Sequence, residues 1–268
     1  MIFFKQVFII KLIFLAFINF SNAETEDEKA LSISTDAYNY DKGFGDFTSD
    51  SKMTLRNKQG EETIRNFRGK TLEVDGDGDK TLFIFDSPRD VKGTATLTFT
   101  HKLDPDDQWL YLPALKRVKR ITSDNRSGSF VGSEFAYEDL GSQELEKYKD
   151  RKYLRKEACP NNNELECHVI SRVPTEKSSG YKYQVLWLDD TVAHKVWKID
   201  YFDRKGSHLK TLFFDDYKIY LDKHWRPSVY KMINHQTGKS TDLLVQNIRF
   251  KVGLSSRDFN PKSLSRAR

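Results

Sequence analysis

Gly93-Thr94-Ala95-Thr96-Leu97-Thr98-Phe99-Thr100-His101 alternates without a break between threonine or another polar residue and apolar residues. Successive side chains of an extended chain point to opposite faces, so the stretch is a β-strand with a threonine face and an apolar face, the pattern of a half-buried strand. The same period of two recurs in residues 47–55, in residues 109–113, at Tyr181, Tyr183, Val185 and Trp187, and at Trp197, Ile199 and Tyr201. Turn signals stand between such segments at Asp75-Gly76-Asp77-Gly78, Asp203-Arg204-Lys205-Gly206 and Gln236-Thr237-Gly238-Lys239. The count comes to about ten or eleven antiparallel strands, more than a flat sheet holds before it curls, so a strongly bent or barrel-like sheet is expected.

Working outward, Thr25 to Glu28 has the form of a helix capping box, and Ala30, Ile33 and Ala37 follow at helical spacing until Gly43 and Gly45 end the run. A helix of about four turns is predicted there. A second helical piece is predicted over residues 133–140, with Ser133 as N-cap and Glu134 in the first turn, directly after the loop Ser127-Gly128-Ser129-Phe130-Val131-Gly132-Ser133. The first 23 residues, MIFFKQVFIIKLIFLAFINFSNA, are almost wholly apolar and end in small residues. They read as a secretory signal peptide cleaved after Ala23; Lys11 interrupts the run that a membrane anchor would need, and no cysteine follows for lipid attachment. Residues 24–268 show no repeat, linker or break in composition and are read as a single domain. The segment from Gly253 to Arg268 is basic, and Phe259 and Leu264 are its residues able to dock back.

With 44 basic against 39 acidic residues in 268, the charge is too balanced for a nucleic-acid binder, and 31% charged residues exclude a polytopic membrane protein. Cys159 and Cys167 flank the turn residues Pro160-Asn161-Asn162-Asn163-Glu164, so a disulfide across a hairpin is favoured over a metal site, for which two thiolates and His168 are too few ligands. No nucleophile elbow, His-Glu-x-x-His run or phosphate-cradling loop occurs, and the six histidines are scattered. Asp75 to Asp79 has oxygen ligands at alternate positions, but Lys80 stands where a calcium loop needs glycine, so a polar turn is preferred. Asp189-Asp190 and Asp215-Asp216 would point to opposite faces of a strand and make poor acid/base pairs. No cofactor and no enzymatic activity are expected.

Two features remain. Lys116-Arg117-Val118-Lys119-Arg120 carries four cations, with Arg126 extending the positive charge; this suits an anionic headgroup or acidic partner, or equally a strand edge guarded against aggregation. The 19 Phe, 12 Tyr and 4 Trp either fill a closed core or line a cavity for an apolar ligand.

Gly43-Phe44-Gly45-Asp46, Met53-Thr54-Leu55-Arg56-Asn57, the run Gln108-Trp109-Leu110-Tyr111-Leu112-Pro113-Ala114-Leu115-Lys116-Arg117-Val118-Lys119-Arg120, and residues 127–133 leading into Phe135-Ala136-Tyr137-Glu138-Asp139 resemble the outer membrane lipoprotein-sorting proteins of the LolA/LolB-like superfamily. The resemblance spans residues from about Asp36 to the Phe259 region. It implies an α+β, mainly antiparallel, incomplete barrel with a helical lid over an apolar cavity, in a monomeric periplasmic carrier of lipoprotein acyl chains or other lipid. It also implies association with an inner-membrane exporter of the RND type, for which a non-carrying adaptor is the alternative reading. On this footing the expected cavity residues are Met53, Leu55, Leu97, Phe99, Trp109, Tyr111, Phe130 and Phe135. Arg117, Lys119 and Arg120 are expected to meet a headgroup or partner, and Gly128, Gly132 and Ser133 to belong to a lid segment.

Overall fold

The structure is a computed structural model describing residues 24–266; the expected signal peptide lies outside the described residues. Helix α1 (Glu26–Asp41) opens with the capping box that the sequence announced: the Glu28 N–H donates to Thr25 Oγ1, and the Thr25 N–H donates back to Glu28 Oε2 at 2.9 Å. Its inward side presents Ala30 and Ile33, both buried.

Two antiparallel meanders follow. The first is β1 (Asp46–Arg56), β2 (Glu62–Leu72), β3 (Lys80–Ser87), β4 (Ala95–Phe99), β5 (Asp107–Leu112) and β6 (Arg117–Ile121). The second is β7 (Tyr148–Cys159), β8 (Asn162–Pro174), β9 (Tyr181–Asp189), β10 (Val196–Asp203), β11 (His208–Tyr220), β12 (His224–Asn234) and β13 (Ser240–Phe250). Pairing of β1 with β13 fuses them into one open sheet in the order β6-β5-β4-β3-β2-β1-β13-β12-β11-β10-β9-β8-β7. Breaks in register between Thr48 and Asp50, Asn66 and Phe67, and Tyr201 and Phe202, with left-handed backbone at Asp216 (φ 50°) and Asn247 (φ 51°), bend the strands. The thirteen strands exceed the ten or eleven expected. Edge strand β7, Tyr148-Lys-Asp-Arg-Lys-Tyr-Leu-Arg-Lys-Glu-Ala-Cys159, shows why: at an edge both faces carry charge, and the apolar alternation is lost.

β6 and β7 are consecutive in the chain yet lie at opposite edges of the sheet. The connection, residues 122–147, therefore runs across the concave face as a strap. Phe130 and Phe135 of the strap are buried among Met53, Phe67, Phe85, Leu212 and Met232. A bridge between Ser129 and Ala136 and a bond from Ser133 Oγ to the Phe130 carbonyl (2.7 Å) shape it. Of the helical piece expected over residues 133–140, only a 3-10 turn at Tyr137–Leu140 forms. Short 3-10 turns at Phe130–Gly132 and Tyr137–Leu140 flank an extended stretch, in which Ser133 Oγ donates to the Phe130 carbonyl and accepts from the Phe135 N–H, so that no α-helical turn follows it.

On the convex side, Phe259 and Leu264 dock against Leu82, Ile84, Ala95 and Leu97, which realises the docking expected of the C-terminal segment. A separate cluster of Val169, Val185, Trp187 and Trp197 surrounds the Cys159–Cys167 disulfide, which ties the β7–β8 hairpin. Closing this short loop restricts the unfolded chain, so the Cys159→Ser/Cys167→Ser double variant is expected to lose about 2–3 kcal/mol of stability, read from its urea midpoint under oxidising conditions.

Candidate functional site

The register of the sheet decides which side chains meet in the concavity. On β1 the inward residues are Phe47, Ser49, Ser51, Met53 and Leu55; their partners on β2 are Thr71, Gly69, Phe67, Arg65 and Thr63, and opposite Thr71, Gly69 and Phe67 on β3 stand Thr81, Phe83 and Phe85. Along β2 and β3 the inward side chains thus change from phenylalanine to threonine within four residues. Where they are large, at Phe67 and Phe85, the strap packs onto them and the trough is solid. Beside Thr71 and Thr81, with Ser34 and Ala37 of α1 and Gly141 of the strap facing them, a cavity of about 650 Å³ remains. This lies in the size range of small-molecule sites. Its far wall is apolar, formed by Leu186, Leu188, Ile199, Phe214 and Tyr230.

The strap is fixed by polar contacts buried beneath it. Asp139 forms an ion pair with Lys210 of β11 at 2.7 Å, with the two side chains 3% and 5% exposed. Tyr181 Oη donates to the other Asp139 oxygen (2.7 Å), and Lys210 Nζ also donates to the Glu134 carbonyl (3.0 Å). Gln108, 1% exposed, donates to Thr98 Oγ1 and to the Tyr137 carbonyl. The threonine face of β4 is therefore the concave one, covered by the strap, while the apolar face of β4 is covered by the C-terminal segment.

Acidic groups gather at the cavity mouth. Glu144 accepts from Tyr38 Oη (2.5 Å) and Ser142 Oγ (2.8 Å), and burial together with Glu144 raises the Tyr38 hydroxyl above its ordinary range. Burial, with Glu144, Glu73 and Asp41 nearby, pushes Asp79 up to about 7. Arg226, bound to Asp41 at 2.5 Å, offsets part of that field.

Of the residues expected to line a cavity, Leu97, Phe99, Trp109 and Tyr111 lie on the convex face with Phe259 and Leu264. That part of the expectation is corrected: alternation gives the parity of a strand but not which face bends inward. Met53, Leu55, Phe130 and Phe135 do share the concave side, in its packed half beside the cavity. Arg117, Lys119 and Arg120 are exposed on the edge strand β6, where Arg120 pairs with Asp107. Arg126 does not extend that surface; it is 3% exposed, paired with Glu176 and lying 3.5 Å from Asp106. Gly128, Gly132 and Ser133 belong to the strap, with Gly132 in left-handed backbone (φ 77°). Asp75 to Asp79 form the β2–β3 turn, and Asp77 accepts from the Lys102 N–H. The cavity residues of α1, β9, β10 and β11 escaped the sequence reading, which had no means of telling that these inward faces end in a void.

A family described as "Uncharacterized protein" matches residues 77–266. A crystal structure of an outer membrane lipoprotein-sorting protein domain from Vibrio parahaemolyticus is 51% identical, with 89% of this chain and 99% of that one covered and a TM-score of 0.85. The chain belongs to the outer membrane lipoprotein-sorting protein family. A DUF1329 family protein from Desulfovibrio piger shares the architecture of this lipoprotein-sorting family member at 26% identity and TM-score 0.83, over 90% of this chain and 99% of its own. A LolA superfamily protein from Nitrosomonas europaea, at 17% identity and TM-score 0.68 over 86% and 97% of the two chains, has the same fold. No curated protein matches the chain in sequence.

Two outcomes follow from this geometry. Asp139→Ala leaves Lys210 charged and buried, which costs about 3–5 kcal/mol, and Asp139→Asn with Lys210→Met recovers most of it in urea unfolding. For Asp79, whose folded-state value lies above its ordinary 3.8, the stabilising share is complete below that value and is lost as pH rises through about 7. Asp79→Asn is expected to remove this dependence and to exceed the wild type in stability at pH 8 by on the order of 1 kcal/mol, measured by unfolding across pH 5–8.

Proposed function

We propose that the protein is a non-enzymatic carrier that shelters acyl chains, of lipoproteins or of another lipid, in the cavity between α1, the strap and the concave face. The observation that carries the reading is the 650 Å³ space with its apolar wall of Leu186, Leu188, Ile199, Phe214 and Tyr230. An acyl chain of about 16 carbons gains on the order of 10 kcal/mol on leaving water, at about 0.8 kcal/mol per methylene, so a soluble carrier needs an apolar wall of this kind. The name of the Vibrio parahaemolyticus relative, a lipoprotein-sorting domain, supports this general role.

The finer reading is a monomer that works in the periplasm after removal of residues 1–23, takes its cargo toward the outer membrane, and meets an RND-type exporter of the inner membrane. Residues 24–268 act in it as a single carrier domain. Among the described residues no helix is long and apolar enough to cross a membrane. Arg117, Lys119 and Arg120 on the exposed edge strand are the groups offered to a headgroup or partner. Met53, Leu55, Phe130 and Phe135 support the site from its packed half.

Organic extraction of the protein purified from its host, followed by mass spectrometry, is expected to release lipid. Thr71→Phe with Thr81→Phe continues the phenylalanine rows into the cavity and is expected to weaken binding of a fluorescent acyl probe about ten-fold or more while the protein stays folded. Absence of extracted lipid together with no probe binding by the wild type contradicts the carrier reading and leaves the adaptor.

A further inference from the structure

Arg151 on β7 and Arg172 on β8 both line the cavity. Arg172 is 8% exposed, and neither guanidinium forms an ion pair with a carboxylate among the described residues. The partners of Arg172 are neutral: Nε donates to Gln184 Oε1 (2.9 Å), Nη2 to Gln143 Oε1, and the guanidinium lies 3.4 Å from the centre of the Tyr148 ring. Arg151 donates to the Tyr148 carbonyl (2.7 Å) and to the Leu145 carbonyl (2.5 Å), and its Nε is buried without a partner. Burial lowers both groups, and Arg172 lowers Arg151 further, so the two positive charges repel each other across a desolvated corner. The other buried cations described above have carboxylates: Arg126 has Glu176, and Lys210 has Asp139. A buried charge without a counter-charge is costly, and an incoming oxyanion would relieve both guanidinium groups at once.

We infer that Arg151 and Arg172 form an anion-binding subsite in the cavity wall, and that the cargo is a lipid whose acyl chain ends in, or lies next to, a carboxylate or phosphate. The inference rests on the carrier reading and narrows it. Acyl chains held by ester or amide bonds alone bring no charge to this corner, whereas a fatty acid or an anionic phospholipid does. Gln143 and Gln184 hold the Arg172 fork in place, and the apolar wall takes the chain. An arginine fork suits this task because it stays charged when buried and presents paired donors to two oxygens.

The test compares palmitate, hexadecyl phosphate, hexadecanol and inorganic phosphate as ligands of the full chain by calorimetry. Palmitate and hexadecyl phosphate are expected to bind at least about ten-fold tighter than hexadecanol, and inorganic phosphate alone to bind far more weakly than either. Arg172→Gln is expected to abolish the preference, bringing palmitate and hexadecyl phosphate to within about two-fold of hexadecanol measured on the same variant, and Arg172→Lys to keep part of it. Equal affinity of the wild type for palmitate and hexadecanol overturns the subsite and leaves the carrier. Inorganic phosphate binding as tightly as hexadecyl phosphate overturns the assignment to a lipid headgroup. Binding of none of the four overturns the subsite and the carrier together. Because the decisive comparisons use the wild type, a variant that fails to fold does not rescue the inference.

Discussion

The buried ion pair between Asp139 and Lys210 holds the arrangement of the concave face. Lys210 sits within the second meander, and Asp139 lies on the segment that joins the two meanders. A buried pair is a weak source of net stability, but it is a strong constraint on position, since any other placement of the strap leaves one charge desolvated and alone. Asp139 also accepts from the Ala136 N–H and from Tyr181 Oη, and Lys210 also donates to the Glu134 carbonyl. These bonds fix where Phe130 and Phe135 drop into the trough, and so fix which half is solid and which is open.

The open half follows from side-chain size. Phe67 and Thr71 share one face of β2, and Phe85 and Thr81 one face of β3, so the same two strands build a packed floor at one end and a void at the other. Small residues arriving from outside the sheet, Ser34 and Ala37 on α1 and Gly141 on the strap, do not fill it. Protein interiors are ordinarily close-packed. Here the space stays open because small residues of α1, the strap, β2 and β3 meet in it, and Arg151 and Arg172 form its polar corner.

Much of this was legible in the chain. The capping box at Thr25, the alternation in β1, β4, β5, β9 and β10, the disulfide and the docking of Phe259 and Leu264 all rest on local patterns, and local patterns survive folding. What was not legible depends on curvature. The Thr94 to Thr100 strand shows two faces, and ordinary reasoning puts the apolar one inward; here the apolar face is covered by Phe259 and Leu264 and the threonine face by the strap, whose Ser142 N–H donates to Thr100 Oγ1. Trp109 and Tyr111 were drawn outward by the same inversion. Arg126 read as part of a surface charge run, because its partner Glu176 lies fifty residues further along the chain.

The two covers of the trough are held unequally. The strap is tied to β5, β9, β11, β12 and β13 by Gln108, Tyr181, Lys210, Asn234 and Thr241, most of them buried beneath it. Helix α1 buries Ala30 and Ile33, packs Ala37 against the same core, and is tied by Lys29 over the Tyr153 ring, by Tyr38 to Glu144 and by Asp41 to Arg226 and His224. The polar ties of α1 lie toward the surface, where water can satisfy the same groups, whereas the strap buries a charge pair and two phenylalanines in the core. The strap is thus the more deeply anchored of the two covers, and α1 contributes Ser34 and Ala37 to the lining of the cavity.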